Sequence, residues 1–186
     1  MFQLETCQGG TKGRQVWAVL NETATKFFSL DLGEIQAACN RRRKLLLEEW
    51  QHKSPDSVMS EYGLADVTYR KGIEEAGPPF DLFHPLGISV CIWAERQSRG
   101  NEGLAAMELE RLDEEGRYTR LYVFLGTLSQ VDHDFHWRGF SMPIEDILIH
   151  ELLHACGDAS WRGRVDGIIR HNIIGIEAVK RLLRPA

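Results

Sequence analysis

From Leu32 to Lys53 the apolar residues Ile35, Ala38, Cys39, Leu46, Leu47 and Trp50 recur at the spacing of one helix face. Pro55 then opens a short helical segment, Asp56 to Tyr62, with proline in the position a first turn tolerates. Upstream, Gln15 to Asn21 (QVWAVLN) reads as a short first strand or the start of a helix. Gly77-Pro78-Pro79 and Pro85 exclude a helix between them. The period then changes. Ile88 to Trp93 is a buried-strand run, Leu104 to Leu112 is readable as a second strand, and Arg117 to Leu128 is rich in β-branched and aromatic residues. With Asp113 to Gly116 as a turn, these strands predict a small, mostly antiparallel sheet.

The helical period returns near the C-terminus. Ser141 has the chemistry of an N-cap, Pro143 suits a first turn, and Glu145 and Asp146 place negative charge at the positive end of a helix dipole. That helix runs to about Cys156 and stops at Gly157. A last helix starts at Val165 or Ile168 and reaches Leu183, with Ile168, Ile169, Ile173, Ile176, Val179 and Leu183 on one stripe. The expected architecture is α+β, with helices first, then the sheet, then two helices. One domain spans residues 1–186, with residues 1–80 readable as a helical N-terminal extension.

The first of these C-terminal helices carries His150-Glu151-Leu152-Leu153-His154. Histidines at i and i+4 share a helix face about one turn apart, so two imidazoles can hold one Zn²⁺ at roughly 2.0–2.1 Å. Glu151 borders that face, where its carboxylate can accept a proton from a zinc-activated water. The expected chemistry is therefore hydrolysis of a peptide bond, with zinc as cofactor and Glu151 as general base.

A catalytic zinc normally has three protein ligands and an open position. The elongated pattern His-Glu-x-x-His-x-x-Gly-x-x-His holds through Gly157 and then fails, because Ser160 stands where its last histidine belongs. The remaining candidates are His171 at the start of the last helix, Glu177 further along it, and Asp158, four residues past His154. We take His171 first, with Glu177 and Asp158 as the alternatives.

The run His150 to Cys156, a variable polar loop, His171 and a closing amphipathic helix together resemble the C-terminal half of the SprT-like zincin metallopeptidases. The resemblance covers roughly Leu121 to Leu183 and lacks the glycine that flanks the family's third histidine. It implies a zincin-like fold, a sheet packed against the His-Glu-x-x-His helix, with His150, His154 and His171 as zinc ligands and Glu151 as catalytic base. By the same resemblance Leu121 to Leu125 would be an edge strand, able to hold an extended peptide by strand addition, with a core strand as the plainer reading for Val123 and Leu125. An oxyanion-stabilising side chain would come from Arg162, Arg164, Arg170, Tyr118 or Tyr122. His133-Asp134-Phe135-His136 is a second group of ligand-type residues, read as a polar loop before the helix. Cys156 reads as a small buried residue.

Composition bounds the rest. Hydrophobic residues are 43% and charged residues 26% of 186, the balance of a globular chain. A net charge of −5 gives no general attraction to nucleic acid or anionic membrane. The basic run Arg41-Arg42-Arg43-Lys44 is the one feature that admits a nucleic-acid partner, and a solvated helix face is its plainer reading. No apolar run is long enough for a membrane span, no signal peptide is visible, and four scattered cysteines fit a reduced, cytoplasmic chain. The expected partner is a protein or peptide substrate. Two other functions share the motif: a non-proteolytic zinc-binding module, and a metallo-amidase acting on a non-protein amide.

Overall fold

A computed structural model describes residues 2–7, 10–54, 57, 76–85, 87–93, 107–111, 118–124, 134–137, 140–158 and 168–184. In chain order these form β1 (Phe2–Cys7), α1 (Gly10–Ser29), α2 (Leu32–Trp50), β2 (Ile88–Trp93), β3 (Met107–Arg111), β4 (Tyr118–Phe124), β5 (Asp134–Trp137), β6 (Phe140–Pro143), α3 (Ile144–Ala155), a π-helical segment (Ile168–Ile176) and α4 (Glu177–Leu183). The fold is α+β. The expected Asp56–Tyr62 helix and the Asp113–Gly116 turn lie outside the described residues, Ser57 excepted.

Four strands form one sheet in the order β1-β2-β4-β3, and β5 and β6 form a separate antiparallel hairpin. The expectation of a mostly antiparallel sheet is corrected here. β1 runs parallel to β2 and β2 parallel to β4, and only β3 runs antiparallel, opposite β4. Parallel neighbours need a long crossover. The chain from β1 to β2 supplies one through α1 and α2, and β4 inserts between β2 and β3 after β3 has formed the sheet edge. Leu121 therefore has Val90 opposite it on one side and Leu109 on the other. β4 is an interior strand. The strand-addition edge expected there is closed on both sides from Leu121 to Val123, Leu125 lies outside the described residues, and among the described residues the free edges belong to β1 and β3.

The described residues among the first 80 pack into the sheet and core rather than standing apart from them. Phe2–Cys7 is a strand of the sheet, and Val16, Leu20, Ala24 and Phe27 of α1 join Ile35, Cys39, Leu46 and Trp50 of α2 in one core with α3. Gln15 to Asn21 falls inside α1, so its helical reading is the one observed. α2 starts at Asp31, whose carboxylate accepts the backbone N–H of Glu34 at 3.0 Å.

The irregular segment 76–85 lies along one face of α2. Asn40 accepts the N–H of Phe80 at 2.7 Å and donates to the carbonyl of Phe80 at 3.0 Å. Gln36 accepts the N–H of Leu82 at 2.8 Å, and the Arg43 guanidinium donates to the carbonyl of Gly77. Residues 36, 40 and 43 are one helical stripe, so α2 holds this proline-rich strap by its polar side.

Candidate metal centre

α3 has a buried face of Ile144, Ile147, Leu148, Leu152 and Leu153, which leaves His150, Glu151 and His154 half-buried beside it. Its start differs from expectation. Ser141 sits in β6, paired in register with His136, so it is committed to the hairpin and cannot cap the helix. Pro143 takes the position before the first turn, with no side-chain cap. Asp146 in that turn pairs with Lys180 of α4 at 2.9 Å. At the other end Gly157 has φ +100°, and the ring of Phe83 stands 2.0 Å from where a Cβ would be built. Only glycine combines that left-handed turn with that approach.

The π-helical segment crosses α3 at Gly175, where a Cβ would lie 2.4 Å from Leu153 Cδ1. This close approach brings three consecutive polar residues, Arg170, His171 and Asn172, behind the motif helix. His150, His154 and His171 each offer a ring nitrogen, and these atoms all lie within 4.8 Å of one another. The three histidines are thus close enough to bind one metal ion, and no other such group occurs among the described residues. Nε2 of His154 is 3.1 Å from Nε2 of His150. Two donors on a tetrahedral zinc, each about 2.0–2.1 Å from it, stand roughly 3.3–3.4 Å apart, so the spacing fits.

The surrounding partners fit as well. His150 Nδ1 meets Asn172 Oδ1 at 2.7 Å, so it carries the proton and leaves Nε2 as a lone pair toward His154. His171 is 2% exposed and its Nε2 meets Asp158 Oδ2 at 2.6 Å. Nδ1 of His171 is buried with no hydrogen-bond partner among the described residues. Burial first, then the proximity of His150 and Arg170, hold His171 well below the ordinary imidazole range against the pull of Asp158. It is therefore neutral, as a metal ligand must be.

Asp158 is not one of the converging donors. Arg170 takes it in a two-point contact, Nε to Oδ2 at 2.6 Å and Nη2 to Oδ1 at 2.5 Å, with all three side chains of the network buried. Burial raises the Asp158 carboxyl above its usual value, opposed chiefly by Arg170. The rest of the guanidinium donates to the carbonyls of Ala76 at 2.7 Å, Pro78 at 2.5 Å and Pro79 at 3.4 Å, and its centre lies 4.0 Å above the Phe80 ring. Arg170 is accordingly a buried clamp and not a residue facing substrate. Glu177 is exposed on α4 and stands outside the cluster.

Of the other expected side chains, Tyr122 is buried in the sheet and donates to Glu110 at 2.6 Å. Arg162 and Arg164 lie outside the described residues, as do Ser160, His133 and the side chains of Tyr118, Asp134 and His136. Cys156 is fully buried. Within the basic run, Arg43 turns to the strap while Lys44 makes an exposed pair with Glu48 at 3.7 Å. Sequence reasoning passed over Asn172 and the clamp role of Arg170. Their signal was present: Arg170-His171-Asn172 interrupts the apolar run Ile168 to Ile176 with three polar residues in succession. No helix is long and apolar enough to cross a membrane among the described residues. Compared with known family models, curated proteins and solved structures, the chain finds no match in any of the three.

Proposed function

We propose that the chain is a zinc metallopeptidase in which His150, His154 and His171 hold the metal and Glu151 is the general base. The observation that carries this reading is the convergence of three neutral-capable imidazoles, two of them flanking Glu151 on one helix. Among the described residues the cluster has three protein donors, the number of a hydrolytic site that keeps a position for substrate. Zinc, when bound, polarises a carbonyl and brings the pKa of water toward about 7. Glu151 accepts the proton of the attacking water and passes it to the departing amine nitrogen, so the peptide bond breaks with no net change in the carboxylate. Asn172 and Asp158 hold the rings of His150 and His171 in the tautomers this requires. The resemblance to SprT-like zincins belongs to the same proposal and supplies its peptide substrate class.

The test is Glu151→Gln. The variant is expected to keep stoichiometric zinc and lose cleavage of an unstructured protein such as casein by at least about 10²-fold, the usual contribution of a general base. Zinc retained with unchanged cleavage would refute the mechanism. Zinc retained, with neither wild type nor variant cleaving any protein, would favour the metallo-amidase or the non-catalytic module.

A further inference from the structure

In the metal site proposed above, each histidine must turn one nitrogen to the ion; for His150 and His171 the hydrogen bond of the other nitrogen decides which, and His154 is placed by its Nε2 facing that of His150. Nδ1 of His150 is occupied by Asn172 at 2.7 Å, and its Nε2 faces Nε2 of His154 at 3.1 Å. His171 is arranged the opposite way. Its Nε2 is held by Asp158 at 2.6 Å, while Nδ1 is buried and has no hydrogen-bond partner among the described residues. The His171 ring stands edge-on to both others, with centroids 4.7 Å from His150 and 4.0 Å from His154.

The geometry points to a mixed donor set: His150 and His154 coordinate through Nε2, and His171 through Nδ1, with Asp158 as the positioning residue that fixes this choice and Arg170 as the group that fixes Asp158. The inference rests on the metal-site reading and adds the atom and its control. Asp158 can do this because it has no freedom of its own. Both of its oxygens are taken by the Arg170 guanidinium, and that guanidinium is tied to three main-chain carbonyls of residues 76–79. An acceptor so fixed holds the proton on Nε2 and leaves the Nδ1 lone pair as the one available for a metal. Flipping the ring would set the Nδ1 side against Asp158 and withdraw the lone pair that now lies buried.

The experiment loads the full chain, labelled with ¹⁵N-histidine, with ¹¹³Cd²⁺ and reads one-bond cadmium–nitrogen couplings. The expected result is coupling at Nε2 of His150 and His154 and at Nδ1 of His171, with a proton retained on Nε2 of His171. Coupling at Nε2 of His171, or none at His171 while the other two couple, would overturn the inference but leave a metal site standing. Absence of bound cadmium and of any coupling would overturn the metal-site reading itself, and the inference with it. A second arm measures zinc affinity of Asp158→Asn by chelator competition. A loss of about 10–100-fold is expected, accompanied by loss of the single Nδ1 coupling. A folded variant with unchanged affinity and unchanged Nδ1 coupling would remove Asp158 from the role. If that variant does not fold, the wild-type couplings decide.

Discussion

Gly175→Ala tests the packing that brings the third histidine to the other two. The new Cβ would lie 2.4 Å from Leu153 Cδ1 and 3.4 Å from the carbonyl oxygen of Arg170. Carbon atoms in contact prefer about 3.5–4.0 Å, so the overlap with Leu153 exceeds roughly 1 Å. Leu153 is fully buried and cannot swing into solvent. Either it leaves its rotamer or the π-helical segment moves off α3, and overpacking of this kind costs about 1–3 kcal/mol. Alanine returns up to about 1 kcal/mol through its better helix propensity. With the full propensity gain the net expectation is a loss of up to about 2 kcal/mol in urea unfolding of the metal-free protein followed by circular dichroism. Because His171 lies four residues before Gly175 and His154 directly follows Leu153, zinc affinity should fall with it. Leu153→Ala alone should lose about 2–5 kcal/mol by leaving a cavity. In the double variant the added methyl enters that cavity, so the combined loss should be smaller than the sum by about 1 kcal/mol or more. A Gly175→Ala protein as stable as wild type, with strictly additive behaviour in the double variant, would refute the close crossing.

The remaining expectations concern the site and its neighbours. His171→Ala should weaken zinc binding, measured by chelator competition, by more than the roughly 10–100-fold typical of losing an outer partner, whereas Glu177→Ala, exposed on α4, should leave it unchanged. His171 is held below its ordinary range in the fold, so the unfolded chain binds the extra proton first as acid is added. Its contribution to metal-free stability is intact above about pH 6.5 and declines as pH falls below it. Urea midpoints at pH 7.5 and 5.5 should show this decline, and it should be smaller in His171→Gln. Cys39 and Cys156 are fully buried with thiols pushed up to about 12, chiefly by burial. Both should resist iodoacetamide at pH 8 until denaturant is added, as peptide mass spectrometry would record; modification of either in the native protein would contradict their burial.

What could be read in the sequence follows from which interactions are local. The stripe of α2 and the two histidines of α3 depend on spacings within one or two turns, and both appear where the pattern places them. β1 was also locally signalled, since Phe2, Leu4 and Thr6 alternate with Gln3 and Glu5, and α1 by Val16, Leu20, Ala24 and Phe27. Gln15 to Asn21 catches only the middle of the α1 pattern, and the β1 alternation has no counterpart in the expected elements. Strand order is different in kind. Nothing within Tyr118 to Phe124 reveals that β4 inserts between β2 and β3, because that depends on connections running through more than twenty residues. The π-helical segment likewise defeats a 3.6-residue reading. Ile169 and Ile174, five apart, are buried, while Ile173 from the expected stripe is only half-buried. Asp158 was weighed as a ligand on sequence distance alone, and its partner, Arg170, could be found only in space.

The clamp made by Arg170 specifies a route for the chain and not an amino-acid sequence. Its acceptors in the strap are the main-chain oxygens of Ala76, Pro78 and Pro79, which every residue type carries. Prolines suit the task because they limit the backbone angles and donate no N–H, so the carbonyls stay aimed without a competing hydrogen bond. The exposed side chains of Pro78 and Pro79 are therefore free to change while the path they follow stays under constraint, whereas Ala76 is fully buried and Gly77 sits at φ +60°, where glycine is favoured. Arg170 has no such latitude: lysine lacks the fork that grips Asp158 at two points while reaching three carbonyls. A requirement on the histidine cluster is thereby carried far along the chain as a requirement on backbone geometry, borne by one side chain.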